Sequence, residues 1–148
     1  KSIYQTECLD LLERMSSAQV TLAYVDPPWH TNSNFSEREA TDEYTLFLSK
    51  IIQQIRRVLT QIGSLYFHCP PVSDTDFRLI LNQIFGKQPS YEIIWTRKIP
   101  HNVAAKIRSD YEIILVYNKS DANIYNPQYR PLSEDERRSY VLVEHQQR

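Results

Sequence analysis

Apolar and polar residues alternate along the chain with two distinct periods, which predict strands alternating with helices. Residues 20–25 form a nearly continuous apolar run of strand length, typical of a strand buried on both faces of a sheet. Between residues 47 and 62 the apolar positions recur every three or four residues, which is the period of an amphipathic helix. We expect that helix to end at Gly63, because glycine commonly caps a helix C-terminus.

Weaker patterns predict the remaining elements. The predicted strands cover residues 2–4, 64–68, 92–96 and 111–117, and the predicted helices cover residues 9–15 and 74–85. Strands that alternate with helices favour an α/β fold with a mostly parallel sheet. No helix is predicted between the last two strands, so we expect them to form an antiparallel hairpin at one edge of that sheet.

Composition narrows the classes of function that this sheet can carry. The 148 residues suffice for one domain with a core, and no apolar run approaches the roughly 20 residues of a membrane span. The net charge of −1 means that nucleic-acid binding requires a local basic patch. The only glycines are Gly63 and Gly86, which excludes a glycine-rich phosphate cradle within these residues. Cys8 and Cys69 are too far apart for a zinc motif, and we expect both to be at least partly buried free thiols.

The first long apolar run ends in Asp26-Pro27-Pro28-Trp29, at the strand end where α/β sheets bind ligands. Prolines fix the backbone and donate no hydrogen bond, so the Asp26 carboxylate and the Pro27 carbonyl form a rigid pair of acceptors. Such a pair suits an exocyclic amino group, and Trp29 offers a flat face on which a base stacks. The pattern predicts a pocket for an amino-bearing base taken out of its helix. The alternative is structural, because a proline pair also ends strands and opens turns.

An exocyclic amine is a poor nucleophile, because its lone pair is delocalised into the ring. Hydrogen bonds to Asp26 and to the Pro27 carbonyl favour a more tetrahedral nitrogen and stabilise the positive charge that develops as the nitrogen attacks. Holding that nitrogen in line with an electrophilic methyl group adds an orientation effect. The residue types at this strand end are therefore those that methylation of an amine requires.

The DPPW tetrapeptide at a strand end resembles the catalytic motif of S-adenosylmethionine-dependent amino-methyltransferases, which act on adenine N6 or cytosine N4. Further segments resemble the bacterial DNA enzymes in which the catalytic half precedes the cofactor loop, in the expected order: IYQTECLDLLERM, GSLYFHCPP, EIIWTRK, SDYEIILVYNKS and YNPQYRPLSEDER. The resemblance covers nearly the whole chain and implies a partial Rossmann-like methyltransferase sheet. Residues 1–120 would then be the catalytic half, and residues 121–148 the start of a target-recognition or linker region.

The resemblance also implies roles for particular residues. The implied catalytic set is Asp26, Pro27, Pro28 and Trp29. The implied S-adenosylmethionine set is Glu7, Cys8 and Asp26. The implied DNA-contacting set is Trp29, His30, Thr31, Arg97, Lys98, Lys106 and Arg108. No metal ligand is implied.

Several of these residues have a structural interpretation beside the functional one. Family members usually carry Gly-Asp where this chain has Thr6-Glu7, and Glu7 is explained equally well as a surface acid before a helix. The basic residues after position 96 contact phosphates or form a solvated loop. His68 at a strand end is expected to be a hydrogen-bonded structural histidine, with a proton carrier as the alternative. Trp95 is expected in the core.

The expected function is site-specific methylation of adenine N6 in double-stranded DNA by a cytoplasmic prokaryotic or phage enzyme of the restriction–modification type. The resemblance favours adenine N6 over cytosine N4, because family members with Asp at the head of the motif lean toward adenine. The family's Phe-x-Gly-x-Gly cofactor loop is absent from these residues, so we expect a missing C-terminal half or a second subunit to supply it, with a homodimer as a further state. Two alternatives stay open: an RNA adenine-N6 methyltransferase, and a nucleic-acid-binding remnant or subunit without catalysis.

Overall fold

The computed structural model describes residues 2–28, 37–96 and 110–139, with the side chains of 37–42 and 138–139 outside the description. The strands are β1 (Val20–Val25), β2 (Leu59–Cys69), β3 (Tyr91–Thr96) and β4 (Tyr111–Asn118). The α-helices are α1 (Cys8–Arg14), α2 (Glu37–Val58), α3 (Asp74–Phe85) and α4 (Glu134–Ser139), and a 3-10 turn at Pro71–Ser73 leads into α3.

The four strands form one mixed sheet in the order β1-β2-β4-β3. β1 runs parallel to β2, whereas β4 runs antiparallel to both β2 and β3. The predicted α/β sheet with an antiparallel edge hairpin is confirmed. The expected parallel character needs a correction: three strands share one direction, but only β1 and β2 are parallel neighbours, because β4 lies between β2 and β3.

One face of the sheet packs against α2 and α3 to form the core. Successive strand residues point to opposite faces, and the alternate positions Leu65, Phe67 and Cys69 join the buried cluster. The helices contribute Leu48, Ile52 and Leu81 among others, all almost fully buried. This packing fixes the sheet against the helices and leaves the intervening residues of β2, including His68, on the opposite face.

The end of α2 differs from the sequence prediction. The helix ends at Val58 rather than at Gly63, and the chain passes directly into β2. Leu59 and Ile62 are three residues apart, which continues the apolar period of the helix, so the local pattern predicted a longer helix. The last carbonyls of α2 and the first of β2 are bonded to residues far away in sequence, which ends the helix at Val58. The Lys119 ammonium donates to the Leu59 carbonyl, and the backbone N–H of Gln19 donates to the Val58 carbonyl at 2.8 Å.

Gly63 instead lies within β2, at a close approach to β1. A Cβ atom on Gly63 would stand 2.9 Å from the Val20 carbonyl oxygen, closer than side chains tolerate. The pairing of β1 and β2 shifts register nearby, between Val20 and Leu22. The glycine is therefore required by the contact between two backbones rather than by a helix cap.

Replacing Gly63 by alanine is expected to lower the free energy of unfolding by about 1–3 kcal/mol, because the added methyl group forces the strands apart. The comparison variant is Gly86→Ala, at the left-handed residue that ends α3, where nothing lies within 4 Å of the new Cβ. That change is expected to cost about 1 kcal/mol from backbone strain alone. Urea unfolding monitored by circular dichroism measures both; an equal or smaller loss for Gly63→Ala would contradict the close approach.

The ends of the described chain also differ from the sequence prediction. Residues 2–4 form no strand, because no neighbouring strand pairs with them in the described part of the chain. Residues after Asn118 include α4, which was not predicted. Its start carries a capping box: the Ser133 hydroxyl accepts from the Glu136 N–H at 3.3 Å, and the Glu136 carboxylate accepts from the Ser133 N–H at 2.8 Å. The Ser-x-x-Glu spacing was the available sequence signal.

Candidate active site

β4 runs opposite to its neighbours, so its first residues lie beside the last residues of β2 and β3. Residues from all four strands therefore lie at one end of the sheet, the edge formed by the carboxyl ends of β1, β2 and β3. Asp26 directly follows β1, and His68 is the penultimate residue of β2. The same edge carries the first residues of β4 and the last residues of β3, where Glu112 pairs with Trp95 in the ladder. The sequence placed Asp26 and His68 at functional strand ends, and the structure brings the two side chains within 3.7 Å of each other.

His68 is the centre of a hydrogen-bonded group at this edge. Its Nε2 lies 2.7 Å from Oε2 of Glu112, and its Nδ1 lies 3.0 Å from the Tyr24 hydroxyl. The Nδ1 atom is also 3.7 Å from Oδ1 of Asp26. His68 and Glu112 are only 3% and 6% exposed, so a buried carboxylate faces a buried imidazole. The expectation that His68 is hydrogen-bonded is confirmed.

The partners of His68 define which ring nitrogen holds a proton. An ionised carboxylate only accepts hydrogen bonds, so the Glu112 carboxylate requires a proton on Nε2 of His68. The neutral ring then presents a bare Nδ1, which accepts from the Tyr24 hydroxyl. Desolvation, and secondly the negative charge of Asp26, raise the pKa of Tyr24. The phenol therefore remains a neutral donor near pH 7, and Nδ1 lies on the side of the site where Asp26 stands.

The two prolines after Asp26 are held between β1 and α2. Pro27 is buried and Pro28 is exposed. The Tyr44 hydroxyl, on α2, donates to the Pro28 carbonyl at 2.9 Å, and burial raises the pKa of Tyr44 so that this donor stays protonated. The Asp26 side chain is 55% exposed. The arrangement presents a carboxylate to solvent on a backbone segment that is anchored on both sides.

All seven of the predicted substrate-contacting residues lie outside the described residues. These are Trp29, His30, Thr31, Arg97, Lys98, Lys106 and Arg108. The described residues next to them in sequence lie at this edge of the sheet: residue 29 follows Pro28, and residues 97–109 connect Thr96 to Asp110. Thr96 and Tyr111 are paired in the ladder, so that connection leaves and re-enters the sheet beside Glu112. The roles of these seven residues stay predictions.

The two predicted cofactor residues before β1 lie at the start of α1. Glu7 occupies the N-cap position without a capping bond from its side chain, and it ends a coil rather than the expected strand. Cys8 is exposed, so the expectation of a buried thiol was wrong for this residue, and the expectation was right for the buried Cys69. The difference follows from α1, which packs Leu9 and Leu12 against the core and leaves Cys8 on its outer side.

The two thiols are expected to differ sharply in reactivity. Burial raises the pKa of Cys69 to about 12, so the folded chain keeps that thiol protonated and unreactive at pH 8. Titration with a chromogenic disulfide reagent is expected to detect one thiol per folded chain, that of Cys8, and two after denaturation. Cys8→Ser supplies the control, because it removes the fast-reacting thiol alone. Two equally fast thiols in the native chain would contradict the buried position of Cys69.

Sequence reasoning missed two members of the site and misplaced a third. Glu112 was hidden inside an apolar strand, where a lone acid is itself a signal, since a buried carboxylate requires a partner. Tyr24 gave no comparable signal. Trp95 was expected in the core but is 50% exposed, because it lies on the edge strand β3, which has no buried residue. Its ring centroid lies 5.4 Å from that of His68, so it covers one side of the imidazole.

Two kinds of feature are not found among the described residues. No group of three or more His, Cys, Asp or Glu side chains is arranged to hold a metal ion within residues 2–28, 37–96 and 110–139. Within the same ranges, no helix has the length and apolar character needed to cross a bilayer.

The sequence of the chain is similar to those of known proteins. A family model described as DNA methylase matches residues 20–147. The chain is 28% identical over 128 residues to the type II methyltransferase M.BglII of Bacillus subtilis, covering 80% of this chain and 35% of that protein. It is 30% identical over 124 residues to the type II methyltransferase M.EcaI of Enterobacter cloacae, covering 75% of this chain and 26% of that protein. The chain thus spans about a third or less of the length of these relatives.

Solved structures share the fold. TTHA0409 of Thermus thermophilus, described as a DNA modification methylase and solved with S-adenosyl-L-methionine, superposes with a TM-score of 0.62 at 19% identity. The match covers 89% of this chain and 56% of that one. The cytosine-N4-specific PvuII DNA methyltransferase superposes with a TM-score of 0.61 at 13% identity, covering 86% and 58% of the two chains. At these identities the likeness establishes the fold alone.

Proposed function

The chain belongs to the DNA methylase family of N6/N4 amino-methyltransferases, and from this we propose that it methylates the N6 amine of an adenine flipped out of double-stranded DNA. The observation that carries the proposal is the anchored Asp26-Pro27-Pro28 segment at the carboxyl end of β1, with its carboxylate exposed to solvent. The type II methyltransferase relatives support a role in restriction and modification.

Asp26 and the Pro27 carbonyl act on the amine in this proposal. Both accept hydrogen bonds from the exocyclic –NH2 group and turn its lone pair toward the electrophile. Because Pro27 is buried and fixed in φ, its carbonyl is preorganised and needs no reorientation as charge develops on the nitrogen. Trp29, His30 and Thr31 contact the flipped base, with Trp29 stacking on it. The basic side chains Arg97, Lys98, Lys106 and Arg108 neutralise phosphates of the DNA.

S-adenosylmethionine supplies the electrophilic methyl group when bound. Glu7 and Cys8, with Asp26, are the residues of this chain that we propose to hold it. Their chemistry fits the cofactor, because the Glu7 carboxylate is exposed and makes no capping bond, which suits it to accept from ribose hydroxyls. The structure of TTHA0409 with S-adenosyl-L-methionine shows that this fold binds the cofactor in another protein.

We propose that residues outside this chain segment complete the cofactor site. β1 is an edge strand of the described sheet, since β2 is its only ladder partner there. Leu22 and Tyr24 on β1 are 59% and 51% exposed, which is unusual for apolar positions of a strand. Elements that pair with this edge strand and pack on that face of the sheet, from a C-terminal half, a second subunit or a second copy, would cover them. Calorimetry of S-adenosylmethionine with this chain tests the proposal, and tight binding without any addition would overturn it.

A panel of labelled-methyl transfer assays tests the substrate. The protein, in its natural length and assembly, is incubated with four oligonucleotides: duplex DNA with adenine as the only amino-bearing target, duplex DNA with cytosine in that role, and the two RNA counterparts. Transfer to adenine in DNA is the expected result. Transfer mainly to cytosine N4 or to RNA would show that the proposed substrate is wrong and that the reaction, methylation of an amine, is right. Binding without transfer to any of the four oligonucleotides would overturn the enzymatic function.

A further inference from the structure

We propose that His68 and Glu112 form a buried relay behind Asp26, which accepts the proton that the amine loses on methylation. The proposal rests on the proposed function, because it concerns the same reaction. Methylating an –NH2 group would form a nitrogen–carbon bond and break the sulfur–carbon bond of the methyl donor, whose sulfur would leave with the electron pair as a neutral thioether. One excess proton would stay on the methylated nitrogen. The Asp26 carboxylate oxygen takes this proton and passes it to Nδ1 of His68, and the base is left as a neutral methylamine.

The geometry points to this direction of transfer. Glu112 fixes the proton on Nε2 of His68 across 2.7 Å, so the ring nitrogen that remains basic is Nδ1, which lies 3.7 Å from Oδ1 of Asp26. That separation is longer than a hydrogen bond, and the single lone pair of Nδ1 accepts from the Tyr24 hydroxyl, so the proton reaches Nδ1 when the half-exposed Asp26 side chain rotates and displaces that hydroxyl. When Nδ1 accepts the proton, the imidazolium faces a buried carboxylate, which stabilises its charge.

The surroundings of His68 suit a relay better than a plain structural pair. Tyr24 and Asp26 face the ring from the β1 side, Glu112 faces it from β4, and Trp95 covers it from β3. A buried ion pair adds little stability over apolar side chains of similar size, so stability alone does not account for it. A buried ring whose tautomer is fixed and whose Nδ1 lies 3.7 Å from the exposed Asp26 carboxylate is suited to proton transfer.

The first arm of the test requires no activity. Nitrogen-15 NMR of the His68 ring in this chain is expected to show a proton on Nε2 and none on Nδ1 at pH 8. Tyr24→Phe and Asp26→Asn are expected to move the Nδ1 resonance. Tyr91→Phe is the matched control, because Tyr91 lies on the same face of the sheet at its other edge strand and stacks on Tyr125 instead. A proton on Nδ1, or an Nδ1 resonance that neither variant moves, would overturn the relay.

The second arm measures methyl transfer to duplex DNA by the protein in its natural assembly, from pH 5 to pH 8. We expect His68→Asn to lower kcat about a hundredfold with little change in the KM for DNA. The wild-type rate is expected to depend on pH, and this dependence is expected to disappear in His68→Asn. Tyr24→Phe, which removes the hydroxyl that donates to Nδ1 and keeps the ring, serves if His68→Asn does not fold, and it is expected to alter the same pH profile.

The outcomes separate the two proposals. An active wild-type protein whose pH profile is the same in His68→Asn and Tyr24→Phe would overturn the relay and leave the proposed function intact. A wild-type protein that methylates no nucleic acid at any pH would overturn both. Lost activity in the two variants with an unchanged pH dependence of the residual rate would mark His68 as structural only, which also overturns the relay.

Discussion

Replacing Asp26 by alanine is expected to reduce the rate of methyl transfer by about a hundredfold to a thousandfold, the loss typical of removing one preorganised group that stabilises transition-state charge. The carboxylate is one of the two acceptors that we assign to the amine, and the Pro27 carbonyl alone cannot both orient the amine and offset its positive charge. Because the Asp26 side chain is 55% exposed, its removal is expected to leave the fold unchanged. Single-turnover transfer of a labelled methyl group to duplex DNA measures the effect.

The matched control for Asp26 is Asp121→Ala. Asp121 is an exposed acid beyond the other end of β4, and its only described ion pair is a 3.5 Å contact with Lys87. It carries the same charge as Asp26 but lies away from the site, so its loss is expected to leave the rate within about twofold, in keeping with the small energies of exposed ion pairs. Equal rates for Asp26→Ala and the wild-type protein would remove Asp26 from the catalytic centre.

Replacing His68 by leucine is expected to lower the free energy of unfolding by about 3–5 kcal/mol, because the substitution deprives the buried Glu112 carboxylate of its imidazole partner. His68 is 3% exposed, so water does not readily take the place of the ring. Urea unfolding at pH 7 measures the loss. This prediction concerns the folded state alone and holds whatever reaction the site performs.

A double-mutant cycle separates the pair from its surroundings. Glu112→Leu combined with His68→Leu replaces both polar groups by apolar ones, and we expect the double variant to recover much of the stability lost by His68→Leu alone. A matched surface pair is Arg78 and Glu92, joined at 2.7 Å near the solvent, where the cycle is expected to give about 1 kcal/mol or less. A loss below about 1 kcal/mol for His68→Leu would contradict a buried, coupled pair.

The elements that sequence predicted well are those whose signals are local. The bounds of β1 and the left-handed Gly86 that ends α3 follow from a few neighbouring residues. The expected burial of β1 on both faces was wrong, because Leu22 and Tyr24 are exposed at this side of the described sheet. The end of α2 was not predictable from local residues, because Leu59 and Ile62 continue the apolar period of the helix. The point at which the helix gives way to the strand depends on Lys119, which lies 60 residues after Leu59 in sequence. Its ammonium donates to the carbonyls of Arg57 and Leu59, at the junction of α2 and β2.

The same contrast holds within the candidate site. Asp26 was identified because the feature that marks it, two prolines after an apolar strand, is contiguous in sequence. Tyr24 lies on β1 and Glu112 on β4, the two strands on either side of β2. Only the pairing of the strands shows that both side chains meet at His68. That pairing places β4 between β2 and β3, which no pattern of apolar residues specified. Trp95 was misplaced for the same reason, since its exposure depends on β3 being the outermost strand.

The central claim is that the Asp26-Pro27-Pro28 segment directs a methyl group onto the N6 amine of adenine in DNA. Mass spectrometry of nucleosides tests it most directly, after duplex DNA has been incubated with the protein in its natural assembly and S-adenosylmethionine carrying an isotopically labelled methyl group. The account predicts labelled N6-methyladenine with the wild-type protein and little or none with Asp26→Ala. Labelled N4-methylcytosine or carbon-5 methylcytosine in place of N6-methyladenine, or N6-methyladenine formed equally by both proteins, would contradict it.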